Sequence, residues 1–89
     1  MAQLGLDPEQ MDALATKMTN EASTISDIVT QITSQVNSTW WQGPDAERFK
    51  GEWEGTHSSA LRNAADALDQ VAQLVRSEAQ QQRQVSGAG

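Results

Sequence analysis

Between Met11 and Val36 apolar residues recur every three or four positions, as Met11, Leu14, Met18, Ala22, Ile25, Ile28 or Val29, Ile32 and Val36. This spacing keeps one side of an α-helix apolar for about four heptads. A second stripe follows, as Phe49, Trp53, His57 or Ala60, Leu61, Ala64, Leu68, Val71 and Val75. Asp7 is placed to cap the first helix, with Pro8 at its first position, where a missing N–H has no partner to lose, and Gln10 three residues after the cap. Gly43 and Pro44 punctuate the space between the stripes, and Asp45 and Glu47 put negative charge in the first turn of the second helix, where the helix dipole favours it. The pattern predicts a single domain over residues 1–89: helix 1 at about 7–39, a turn at 40–43, helix 2 at about 44–82 and a Gln-rich, then Gly/Ala-rich disordered tail at 83–89.

Ser, Thr, Asn and Gln outnumber Lys and Glu between the apolar positions of helix 1, so helix propensity is mediocre and packing must supply the stability. Helices of this length are on the order of 50 Å long, and so short a connection folds them back antiparallel. A hairpin neighbour covers only one side of each apolar stripe. The expected architecture is therefore all-α, an antiparallel two-helix hairpin dimerising into a four-helix bundle. A chain of 89 residues buries a small core by itself, which points the same way. Ile25, Ile32, Phe49, Trp53, Leu61 and Leu68 are the expected core residues.

Composition narrows the function. Twelve acidic and six basic residues give a net charge of −6, which repels nucleic-acid phosphates and anionic lipid surfaces. The absence of cysteine rules out disulfides and thiolate metal sites. His57 is the only histidine, without a second one to complete a ligand set or an evident partner to orient it as a base. No catalytic residue, cofactor or metal is expected. No apolar run approaches the ~20 residues of a membrane span. The first ten residues lack a basic segment followed by an apolar one, so the chain is expected to stay in the cytoplasm or to leave it without a cleaved signal.

The one concentrated feature is WWQGPDAERFKGEWEG at residues 40–55, which holds all three tryptophans and the only phenylalanine. Gly43 suits a chain reversal because it adopts positive φ without steric cost. Trp41 is large enough to close the end of a bundle. Trp40 and Trp41 are adjacent and cannot both point inward, so at least one is left as exposed aromatic surface of the kind that marks contact sites.

Trp41-Gln42-Gly43 at a helix–helix turn, followed by Ala46, Phe49 and Trp53, resembles the signature of the WXG family of small type VII secretion substrates, the early secreted antigen-like proteins. Trp53-Glu54-Gly55 is a second W-x-G, but it lies inside the helix 2 stripe, so the family motif is assigned to Trp41 and Gly43. The resemblance implies a helical hairpin made in the bacterial cytoplasm and secreted folded by an ATPase-driven machine. It also implies pairing as a homodimer or as a heterodimer with a WXG paralogue, and no enzymatic activity. The family's export signal, Tyr-x-x-x-Asp/Glu just beyond helix 2, has no counterpart with a phenol, since the chain has no tyrosine. Leu74-Val75-Arg76-Ser77-Glu78 occupies about that place, with Leu74 and Glu78 as the candidate positions. Three explanations stand open: a partner carries the signal, the degenerate form serves, or the protein is a cytosolic helical adaptor without an export role. A surface-active role for the Trp-rich turn is disfavoured by the acidic charge.

Overall fold

The computed structural model describes residues 5–88, with side chains as far as Val85. Helix α1 spans Pro8–Ser38; after a turn, α2 (Pro44–Glu52) runs through a five-residue π-helical segment (Trp53–His57) into α3 (Ser58–Ala88). The two arms lie antiparallel as one hairpin, a rod of 68 × 17 × 15 Å. Among the described residues there is no strand, and no helix is long and apolar enough to cross a membrane.

Local chemistry explains the ends of α1. Asp7 Oδ1 accepts from the N–H groups of Glu9 (2.9 Å) and Gln10 (3.3 Å), satisfying two of the donors that a helix start leaves open. At the other end Thr39 turns extended, and both its N–H (3.0 Å) and its hydroxyl (2.6 Å) donate to the Gln35 carbonyl. Gly43 then takes φ +115°, a backbone region that side chains other than glycine's rarely enter, and its carbonyl receives the Glu47 N–H that starts α2.

The interior is built from small residues. Ala15, Ala22 and Val29 of α1 and Ala65, Ala72 and Ala79 of α3 are buried, each set at strict seven-residue spacing, with Ser58 and Ala46 continuing the line toward the turn. Side chains this short let the two backbones come close, and an exact heptad repeat keeps the seam in contact as the helices coil. The residues expected in the core of a four-helix bundle are not the interior of the single hairpin. Ile25, Leu61, Leu68 and Trp53 are only half-buried, and Ile32 and Phe49 are exposed. With alanine holding the axes together, bulky residues three or four positions away flank the seam instead of filling it. Among the described residues Val29 is the largest fully buried side chain.

The two flanks of the seam differ. On one, the helices are joined by polar bonds: Arg83 to Asp12 (2.7 Å), Arg76 to Thr19 (3.4 Å) and Trp53 Nε1 to Thr33 Oγ1 (2.9 Å). Asp12, Thr19 and Thr33 fall on one heptad position of α1, as Arg76 and Arg83 do on α3, so the Arg76–Thr19 bond repeats the Arg83–Asp12 bond two turns along. The other flank carries the aliphatic residues. Helix is described through Ala88, where thinning apolar residues predicted a disordered tail at 83–89, of which Gly89 lies outside the described residues, and the second arm is not one uniform helix.

The π segment has a visible cause and a visible repair. The Ser58 N–H reaches back to the Trp53 carbonyl, five residues away, instead of to the Glu54 carbonyl an α-helix would use. In a plain α-helix five residues rotate the chain about 140° beyond a full turn, which would swing Trp53 and Ala46 off the seam. The wider turn reduces that rotation and keeps both directed at α1. The Glu54 carbonyl is then served by the buried Ser58 hydroxyl, at 2.9 Å.

Candidate recognition surface

The turn at the end of the rod gathers the aromatic side chains that the sequence singles out. Trp40 stands in solvent, 85 % exposed, while Trp41 is 42 % exposed and lies against Phe49 with ring centroids 5.5 Å apart. Trp41 and Phe49 thus form an open aromatic shelf over the first turn of α2, their rings tilted by 42° at a separation usual for aromatic pairs. Nothing lies within 4 Å of where a Cβ on Gly43 would sit, so its requirement is conformational and not spatial. Arg48 pairs with Asp45 (2.8 Å) and lies 3.9 Å from Glu52, balancing charge beside the shelf.

Trp53 behaves differently. It is half-buried between the arms, anchored by its bond to Thr33, and its ring lies 6.5 Å from that of His57. His57 itself is exposed, and the Ser58 hydroxyl donates to the Glu54 carbonyl rather than to the imidazole. Gly51 and Gly55 are not there to admit α1: an added Cβ would meet nothing within 4 Å at either position.

Leu74 and Glu78 lie on α3, both exposed. Roughly thirty helical residues separate them from Trp41, or about 45 Å along the rod at 1.5 Å per residue. A single hairpin therefore does not bring the turn and the Leu74/Glu78 segment together. The larger apolar surface lies along the rod, and of the expected core residues it includes Ile32. Leu14, Ile28 and Ile32 of α1 and Val71 and Leu74 of α3 are all exposed, along the flank opposite the polar bonds. The alanine seam was itself readable, since Ala15-Ala22-Val29 and Ala65-Ala72-Ala79 repeat without a break.

No metal-binding group of three or more His, Cys, Asp or Glu residues occurs among the described residues. No curated protein and no solved structure gives a significant match. A family model described as "Proteins of 100 residues with WXG" matches residues 3–85, nearly the whole chain and both arms with the Trp41-Gln42-Gly43 turn between them. The chain belongs to the WXG100 family.

Proposed function

We propose that this protein is an exported helical hairpin, a substrate or chaperone-like partner of a bacterial type VII secretion machine, acting through protein–protein contacts after pairing with another hairpin of its family. The observation that carries the pairing is the uneven burial across the rod. An alanine seam holds the two arms together while Leu14, Ile28, Ile32 and Val71 stay exposed on one flank. Covering that flank with a second hairpin yields a four-helix bundle and removes from water the side chains with the most to gain, at about 25 cal/mol per Å².

Antiparallel pairing also brings the turn of one subunit beside the α3 segment of its partner. Trp40, Trp41 and Gly43 would then stand next to the partner's counterpart of Leu74 and Glu78, forming a composite surface for the secretion ATPase. The protein would leave the cytoplasm without a cleaved signal. The missing tyrosine favours one competing reading, a cytosolic adaptor, which cell fractionation with and without the ATPase separates from export.

Replacing Trp41 by Ala tests the composite surface directly. Trp41 sits on the shelf and not in the seam, so the variant should remain helical and paired while secretion and ATPase binding fall at least about tenfold, corresponding to ~1.4 kcal/mol of lost contact. A folded, paired W41A protein exported at the normal level would remove the reason for giving this turn a role beyond packing.

A further inference from the structure

We infer that the apolar flank is built for a non-identical hairpin, one that brings lysine or arginine to the level of Glu21 and Glu78, and not for a second copy of this chain. The inference rests on the pairing reading above and names the partner's chemistry.

Two rows of residues border the flank, each one position before the seam. On α1 the row reads Leu14, Glu21, Ile28; on α3 it reads Val71, Glu78, Val85. The aliphatic members are exposed, and each row is interrupted once, by a glutamate. The Arg83–Asp12 and Arg76–Thr19 bonds fix the alignment of the helices, placing Lys17 about opposite Glu78 and Glu21 about opposite Leu74. The two carboxylates therefore bracket the flank within about one helical turn of each other along the rod.

Their own chain supplies little compensation. Lys17 lies 3.8 Å from Glu21 in an exposed, loose pair. No ion pair among the described residues includes Glu78, because Arg76 and Arg83 are engaged on the opposite flank. Any partner that covers the aliphatic residues partly removes these carboxylates from water, which is costly without an opposite charge. A second copy brings the same two glutamates, a cation already next to a carboxylate, and another −6 of net charge. A hairpin with a basic rim instead supplies attraction at contact and steering at encounter, and the shared negative charge disfavours the identical chain.

Sedimentation equilibrium on the full chain tests this with a probe made from the protein itself, a copy carrying Glu21→Lys and Glu78→Lys. At about 20 mM salt the screening length is roughly 20 Å, so the outcome does not depend on the exact pairing register. The expected result is that wild type pairs with the charge-reversed copy at least about tenfold more tightly than with itself, an advantage that shrinks at about 0.5 M salt. E21Q/E78Q should also self-associate more tightly than wild type. A control copy with Asp27→Lys and Asp66→Lys, which makes the same change in net charge away from the flank, should gain much less. Wild type pairing with itself as tightly as with the charge-reversed copy, or an equal gain with the control copy, would overturn the inference while leaving pairing intact. Absence of association in every combination up to about 100 μM would instead sink the pairing reading, and this inference with it.

Discussion

At Trp53 and Trp40 the same side chain meets opposite fates thirteen residues apart. Trp53 is wedged between the arms and donates to Thr33, whereas Trp40 is almost wholly in solvent. Trp53→Ala should destabilise the hairpin by about 2–3 kcal/mol, below the full cost for a buried aromatic because the ring is only half-buried. Trp40→Ala should stay within about 0.5 kcal/mol. Urea unfolding followed by circular dichroism measures both, and equal losses would mean that Trp53 is not the anchor described. Size matters in the reverse sense along the seam: Ala72→Leu should cost about 1–3 kcal/mol by forcing the backbones apart. Leu74→Ala, two residues on and exposed, should barely register in the same assay. The sequence pattern located both stripes, yet it ranked Ile32 and Phe49 above Ala65, Ala72 and Ala79 as core. Hydropathy rewards bulk, while close approach of two helices rewards its absence.

The second arm owes its phase to the π segment. A five-residue step separates Trp53 from Ser58, where the rest of the seam advances by sevens, and the widened turn absorbs the mismatch. Deleting Gly55 should let this stretch close into ordinary α-helix with Trp53 still directed at α1, and it removes a residue that costs helices about 1 kcal/mol relative to Ala. Its thermal midpoint should equal or exceed that of the parent. Deleting Ala67 instead throws everything before it about 100° out of phase with Ala72 and Ala79, so cooperative unfolding should be lost. A Gly55 deletion as damaging as the Ala67 deletion would show that the segment is not a phase correction. None of this was legible in the sequence, because Phe49, Trp53, His57 and Leu61 follow an acceptable α-helical spacing on their own. The turn, by contrast, was readable: Gly43 before Pro44 leaves few options, and the φ of +115° is what such a dipeptide supplies.

The whole molecule is a thin rod whose bulkiest aliphatic residues are divided between half-burial and exposure. Replacing Ile28 and Ile32 by Ser should therefore change the stability of the isolated hairpin by less than about 1 kcal/mol, while removing most of the stabilisation that a bound partner confers. Thermal unfolding with and without a pairing hairpin separates the two effects, and a large loss in the isolated chain would place these side chains in an intramolecular core instead. The hairpin architecture was foreseeable from two stripes and one short connection. The sidedness was not, since it arises from which heptad position each arginine and threonine occupies once the arms are aligned. The alanines at 15, 22, 65, 72 and 79 form a ladder along the rod. A ladder of identical rungs cannot tell one alignment from another: sliding α3 by seven residues sets alanine against alanine again, at little packing cost. What breaks this translational symmetry is the odd members, Val29 where the ladder thickens, Asp12 and Thr19 as unlike receivers for Arg83 and Arg76, and the tether through Gly43. The repeat supplies adhesion without address, and the address is written in its exceptions.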